Sequence, residues 1–286
     1  MDQTIIDLYD EYTHTSLDRR IFLARLAKLT GSLTAASALV PLLAAHQAHA
    51  HIVPAHDSRL QTGRTLFPGA ACDIKGYLAR PQGTDKLPTV IVIHENRGLN
   101  PHIEDVARRM ALEGFLVLAP DLLSPLGGTP ANEDTAREMI GKLDHDDTVA
   151  NLRGAVDWLA HHDQSNGKVG AMGFCWGGGM TGDLAVHAPK LAAAVVYYGR
   201  QPQVAGVKAI QAPLLLHYAG LDKRINDGIA EFEDALKQAG KPYELHLYEG
   251  VNHAFNNDTS EARYNKTAAD LAWSRTVAFL KSKLVA

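Results

Sequence analysis

The feature that most restricts the fold is a series of short, uninterrupted apolar runs set between stretches of helical periodicity. Thr89-Val90-Ile91-Val92-Ile93 and Phe115-Leu116-Val117-Leu118-Ala119 show no polar alternation, so each reads as a strand covered on both faces. Between them, residues 102–113 place Ile103, Val106, Met110 and Ala111 at helical spacing and stop at Gly114. The pattern continues with strands predicted over 168–174, 191–198, 213–218 and 243–248. Helices are predicted over 131–141, 145–162, 177–187, 226–239 and 262–283. Strands joined by helices of this length need crossover connections, which implies a mostly parallel sheet with helices on both faces. Residues 72–80, closed by Pro81, read as an earlier antiparallel strand. No repeat or low-complexity linker interrupts the chain after residue 60, so the expected class is α/β, with one domain over residues 51–286.

Residues 1–50 read differently. A polar, acidic start leads to Arg19-Arg20-Ile21-Phe22-Leu23, and residues 29–45 carry no charge. The stretch ends at Ala48-His49-Ala50, a small-x-small pattern. A twin arginine, a mild apolar segment and such a site are the parts of a twin-arginine export signal, which would make the mature protein periplasmic. Gly31 and Pro41 interrupt the apolar segment, so no stable membrane span is expected. The alternative is a retained helical extension in a cytoplasmic protein, packed on the body or on a second copy of the chain. His46, His49, His51 and His56 surround the cleavage pattern; copper or zinc binding there competes with a plain His-rich junction, and no metal is assigned.

Composition removes several function classes. Of 286 residues, 46% are hydrophobic and 21% charged, enough apolar material for a sizeable core. With 28 basic and 32 acidic residues the formal charge is −4, which leaves no surplus to neutralise a phosphate backbone, so nucleic acid is not an expected partner. Two cysteines, Cys72 and Cys175, exclude a disulfide framework. Cys72 reads as a buried strand residue, with a pairing open to it in an oxidising compartment.

The chemistry concentrates at Gly173-Phe174-Cys175-Trp176-Gly177-Gly178-Gly179, between a strand and a helix. This is the G-x-S-x-G nucleophile turn with sulfur in place of the serine oxygen. The turn must be sharp to lift the reacting side chain above the sheet, and a Cβ at either flanking glycine would collide with neighbouring backbone. A helix N-terminus favours thiolate over thiol. Tight packing or phosphate binding are the rival uses of such glycines. Downstream, Asp222 follows the strand Pro213–Tyr218 and His253 follows the strand Tyr243–Tyr248. Nucleophile, acid and histidine in that order, each after a strand, match the α/β-hydrolase arrangement. Strand carboxyl ends share one edge of the sheet, so the three can converge. Upstream, His94-Glu95-Asn96-Arg97-Gly98-Leu99 follows the strand Thr89–Ile93, which makes the backbone N–H groups of Asn96 and Trp176 the expected oxyanion donors. Glu95 beside a thiolate would raise the thiol pKa; a salt bridge from Glu95 to Arg97 or another cation is the alternative.

HENRGLN, GFCWGGG, AGLDKRI and VNHAF together resemble the dienelactone hydrolase family, over most of residues 60–284. The resemblance implies an α/β-hydrolase fold with Cys175 as nucleophile, His253 as general acid/base and Asp222 as its orienting partner. It also implies that Glu95 contacts the resting cysteine. The implied reaction is hydrolysis of an ester or lactone through a thioester, with a small-molecule substrate and no cofactor. Family members that open dienelactone hold its carboxylate with arginines, one shortly after the histidine; here none follows His253 until Arg263. Arg97, Arg137, Arg200 and Arg224 are the remaining candidate cations, with Tyr197, Tyr198 and Trp176 as candidate pocket walls. The alternatives are a carboxylesterase with a non-lactone substrate, a non-catalytic binding protein on the same scaffold, and a thiol redox protein. The last lacks a nearby resolving cysteine. A homodimer is the expected assembly, if any.

Overall fold

The structure, a computed structural model, describes residues 1–15, 17–43, 52–83 and 85–285. The strands are β1 (Leu60–Pro68), β2 (Asp73–Pro81), β3 (Leu87–Ile93), β4 (Leu116–Pro120), β5 (Ser165–Phe174), β6 (Ala193–Tyr197), β7 (Leu214–Ala219) and β8 (Tyr243–Tyr248). They form one eight-stranded sheet in the order β1-β2-β4-β3-β5-β6-β7-β8. β2 runs antiparallel to both β1 and β4. From β4 onward every pairing is parallel, as the uninterrupted apolar runs require.

The helices of the body are α4 (Pro101–Leu112), α5 (Glu133–Ile140), α6 (His145–Ala160), α7 (Trp176–His187), α8 (Lys223–Asn226), α9 (Ile229–Gln238) and α10 (Lys266–Leu284); α1 (Gln3–His14), α2 (Arg19–Thr30) and α3 (Leu33–Leu43) precede the sheet. Starts are capped by the side chains that the chain supplies there. Asn100 accepts from the amide of Ile103 with Pro101 as the first helical residue, Asp144 accepts from Asp147, and Asn265 accepts from Ala268. The period-two geometry of β3 divides the core. Val90 and Val92 face Ile103, Val106 and Met110 of α4 and Phe279 and Leu280 of α10. Ile91 and Ile93 face Val149, Leu152 and Val156 of α6 together with Leu184 of α7.

Two elements differ from the sequence reading. β1 was not anticipated, because it is an edge strand in which only Leu60 and Phe67 are buried, so it lacks alternation. The helix expected over 226–239 is α9, which starts only at Ile229; the one-turn α8, not anticipated, precedes it across Asp227-Gly228. Cys72 is exposed in the turn between β1 and β2, not buried in a strand, and both cysteines are free.

The N-terminal helices form a satellite layer. Ile6, Tyr9 and Tyr12 of α1, Phe22 and Leu26 of α2, and Ala36 and Leu43 of α3 bury one another. The layer is tied to the body by polar contacts. Asp10 pairs with Arg263 at 3.1 Å, Tyr12 Oη donates to Asp134 at 3.0 Å, and Asn96 Nδ2 donates to the Thr13 carbonyl at 2.7 Å. Arg137 donates to the Tyr12 carbonyl and stacks over its ring, 4.2 Å from the centroid. Of the twin arginines, Arg19 opens α2 and pairs with Asp134, while Arg20 is exposed. The Ala48-His49-Ala50 pattern, His46, His49 and His51 lie outside the described residues; His56 is exposed. Among the described residues no single helix is long and apolar enough to cross a membrane. α2 and α3 reach that composition only as a pair bent by 109°.

Phe22 is 1% exposed at the centre of this small cluster, stacked on Tyr12 with ring centroids 4.4 Å apart. Phe22→Ala should remove roughly 3 kcal/mol of local packing, more than a cluster of this size can lose and stay docked. Limited trypsin digestion should then cut at Arg19-Arg20 much faster than in the wild type while the sheet stays intact. An unchanged digestion rate would contradict the docking.

Candidate active site

The carboxyl edge of the parallel strands carries the site. β5 ends at Phe174, and the chain turns through Cys175, φ 56° and ψ −116°, directly into α7. That conformation is unfavourable for any residue with a side chain. It is held from both sides: the Cys175 amide donates to the Tyr197 carbonyl at 3.0 Å and its carbonyl accepts from Gly179 at 3.1 Å. The flanking glycines permit the turn by absence of a side chain. A Cβ on Gly173 would lie 2.2 Å from the Gly177 carbonyl oxygen, and one on Gly177 would lie 2.3 Å from that of His94. Among the described residues, three other than glycine have positive φ: Cys175, Tyr198 and Ala254. All three are at this site, following β5, following β6 and beside His253.

The structure brings Cys175, Asp222 and His253 together. Asp222 follows β7 and caps α8, one carboxylate oxygen accepting from the Ile225 amide at 3.3 Å. Its other oxygen accepts from His253 Nδ1 at 2.5 Å, which leaves Nε2 facing the sulfur; Nε2 and Sγ lie within 4.8 Å. His253 is 2% and Cys175 6% exposed. Burial works against the charged imidazole, yet the Asp222 carboxylate and the Cys175 sulfur together push its pKa up to about 10. Burial likewise opposes the Asp222 carboxylate, but the charge of His253 holds it below the usual range. The ring of Tyr198 packs 5.0 Å from that of His253.

The hydrogen-bond partner of the sulfur is a residue that the sequence did not single out. His14, the last residue of α1, places Nε2 3.0 Å from Cys175 Sγ, its ring edge-on to His253 at 4.4 Å. His14 Nδ1 lies 2.8 Å from the Asp10 carbonyl. A carbonyl can only accept, so Nδ1 carries the proton and Nε2 presents a lone pair to the thiol. Burial, then the charge of His253, lowers the His14 pKa well below its ordinary value, so the ring is neutral. The available sequence signal was the amphipathic face Ile5, Ile6, Leu8, Tyr9 and Tyr12, which needs a partner surface.

Other expected residues fall into two groups. Trp176 and Asn96 line the cavity at the sulfur; among the described residues neither backbone N–H donates to a backbone acceptor, as oxyanion donors require. Tyr198 and Arg200 also line it, although Arg200 is paired with Asp183 at 2.6 Å. Glu95 borders a small recess together with Cys175; its carboxylate accepts from Asn257 Nδ2 at 2.7 Å, and among the described residues no hydrogen bond to Cys175 or ion pair with Arg97 joins it. Arg97 is buried and committed to the Glu133 carbonyl at 3.1 Å and the Asp134 carboxylate at 3.8 Å, away from the large cavity. Tyr197 belongs to the core, its hydroxyl 2.6 Å from that of Thr276. Arg263 is neutralised by Asp10 of α1.

The cavity in front of Cys175 measures about 700 Å³, enough for a small organic acid ester. One wall is the body, with Trp176, Tyr198 and His253; the other is the N-terminal layer, with Tyr12, His14 and Leu17. Arg224 stands at its exposed side, and among the described residues it has no acidic partner within ion-pair distance.

Comparison with known proteins agrees with this geometry. Residues 74–284 match the dienelactone hydrolase family, and residues 1–31 match a second family described as YqhI-like. A protein of Escherichia coli (strain K12), named "Putative carboxymethylenebutenolidase", is 32% identical over 246 residues, 80% of this chain and 90% of the relative. A Bradyrhizobium protein named "Probable 2-oxo-3-(5-oxofuran-2-ylidene)propanoate lactonase" is 33% identical over 72% of this chain and 88% of its own. Among solved structures, one from Klebsiella pneumoniae titled as a "Putative Dienelactone Hydrolase" superposes with a TM-score of 0.71 at 32% identity, covering 77% of this chain and 98% of that one. The chain belongs to the dienelactone hydrolase family of ester- and lactone-cleaving enzymes.

Proposed function

We propose that the enzyme opens its substrate by acyl transfer to Cys175. The observation that carries this is the sulfur in a strained turn facing an imidazole that is itself tied to a buried carboxylate. The His253 imidazolium, its pKa about 10, stands beside the sulfur as the counter-charge and proton carrier for acyl transfer. The thiolate attacks the ester or lactone carbonyl, and the oxyanion develops toward the amides of Trp176 and Asn96. His253 then protonates the departing oxygen, leaving a thioester, and next takes a proton from the water that releases the acid. Asp222 keeps His253 oriented and compensates its charge throughout. Before the thiol gives up its proton, His14 Nε2, 3.0 Å from the sulfur, is its hydrogen-bond acceptor, in the place that the family resemblance gave to Glu95.

Arg224 is the proposed anchor for a substrate carboxylate. It borders the cavity and, unlike Arg97, Arg200 and Arg263, has no carboxylate within ion-pair distance among the described residues. For residues 1–50 the reading best supported is a retained extension. Removal after Ala50 would strip one wall from the cavity and leave Arg263 buried without Asp10. N-terminal sequencing of protein from the native host should begin near Met1; a chain beginning at His51 would favour the export reading.

Cys175→Ser and Asp222→Asn should each lower kcat/KM for short aryl esters and lactones about a thousandfold or more, with circular dichroism unchanged. Wild-type protein quenched during turnover should carry one substrate acyl group on Cys175 by mass spectrometry. Full turnover in Cys175→Ser would sink the mechanism. Arg224→Leu should raise KM for carboxylate-bearing esters roughly tenfold, the value of one charge-assisted contact, and leave neutral esters unaffected. An equal effect on both substrate types would remove Arg224 as the anchor.

A further inference from the structure

We infer that the same pocket is a binding site for a thiophilic divalent cation, zinc above all, built jointly by the N-terminal helix and the catalytic edge: His14 Nε2, Cys175 Sγ and His253 Nε2. The three ligand atoms lie within 4.8 Å of one another, and His14 Nε2 is 3.0 Å from Cys175 Sγ. Tetrahedral zinc with ordinary Zn–N and Zn–S bonds spaces such atoms about 3.3 to 3.6 Å apart. The separations therefore need to change by about 1.5 Å at most, within the reach of side-chain rotation.

Two further observations separate this from a chance cluster. The first is that the far nitrogen of each imidazole is already committed to an oxygen acceptor. Asp222 takes the Nδ1 proton of His253, and the Asp10 carbonyl takes that of His14. A carboxylate or carbonyl behind the ring is what orients a metal-bound histidine and fixes its tautomer. The second is that His253 Nε2 is fully buried yet has no hydrogen-bond partner, although it is aimed into the cluster. Neither α1 nor the body alone supplies a histidine pair around the sulfur; only their docking does. The fourth position faces the cavity and would be taken by water.

Binding is a ligand exchange without redox change. Zinc displaces to solvent the protons that the Cys175 sulfur and His253 Nε2 carry, and a Zn–S bond and two Zn–N bonds replace waters of the aqueous ion. Sulfur and His253 lone pairs used in this way are withdrawn from acyl transfer, so the occupied enzyme is switched off. The inference shares Cys175 with the proposed hydrolase mechanism but does not require it.

The test measures the metal itself. Full-length, metal-free protein dialysed against micromolar zinc should take up one equivalent per chain. Cobalt in its place should give a thiolate charge-transfer band in the near ultraviolet. Cys175→Ser should abolish the band, and His14→Asn should weaken zinc binding on the order of a hundredfold, a loss read by stoichiometry rather than turnover. His14→Cys, which restores a soft ligand, should recover binding. No uptake at these concentrations would overturn the inference, as would unchanged affinity in both Cys175→Ser and His14→Asn, which would put the metal on other histidines. Alkylation of Cys175 by iodoacetamide and ester turnover by the metal-free enzyme read the hydrolase mechanism separately. Zinc at stoichiometric amounts should suppress both.

Discussion

The strand-to-helix turn at Cys175 is the constraint on which the rest of the molecule depends. A side chain with positive φ is tolerated there because the backbone of β5, α7 and β3 approaches too closely for anything but glycine at positions 173 and 177. The approach is affordable only inside a parallel sheet whose core is filled on both faces, so that β3, β5 and β6 cannot part. The strain is local, and the packing that opposes it is distributed over the two core layers. Tyr198 and Ala254, the other two non-glycine residues with positive φ among those described, extend the same logic to the loops after β6 and β8.

Around that turn the electrostatics are arranged in a chain of dependence. Burial alone would neutralise His253, but a buried carboxylate within hydrogen-bond distance reverses the outcome. His14 lies in an equally dry place without a carboxylate, and its ring stays neutral, held by a backbone carbonyl. Two imidazoles a few ångströms apart therefore differ in charge because of what stands behind each of them. The sulfur between them has a proton acceptor on one side and a cation on the other.

The body was largely legible in the sequence because its signals are local. Val and Ile runs mark buried strands whatever their partners, and Ile103, Val106, Met110 and Ala111 at helical spacing mark the helix that follows the first of them. Placement of Cys175, Asp222 and His253 after three strands of the series pointed to their convergence because parallel topology puts all those strand ends on one edge. β1 was missed, since an edge strand exposes both faces and carries no period. Cys72 and Arg97 were misplaced, since the exposure of a turn residue and the commitment of an arginine depend on neighbours far away in the chain.

The first fifty residues show the limit most clearly. Twin arginine, apolar stretch and small-residue pattern are one-dimensional features, and they read equally well as an export signal or as three short helices. The chain alone determined an α/β sheet, a cysteine at a nucleophile turn and the acid and histidine that follow it, because each rests on short-range pattern and strand order. Only the tertiary structure decided that Asp10 meets Arg263, that Glu95 meets Asn257, and that His14 rests on the sulfur. Those contacts join residues separated by most of the chain, and what selects them is the burial of charge and apolar surface when the N-terminal layer docks, which no local pattern encodes.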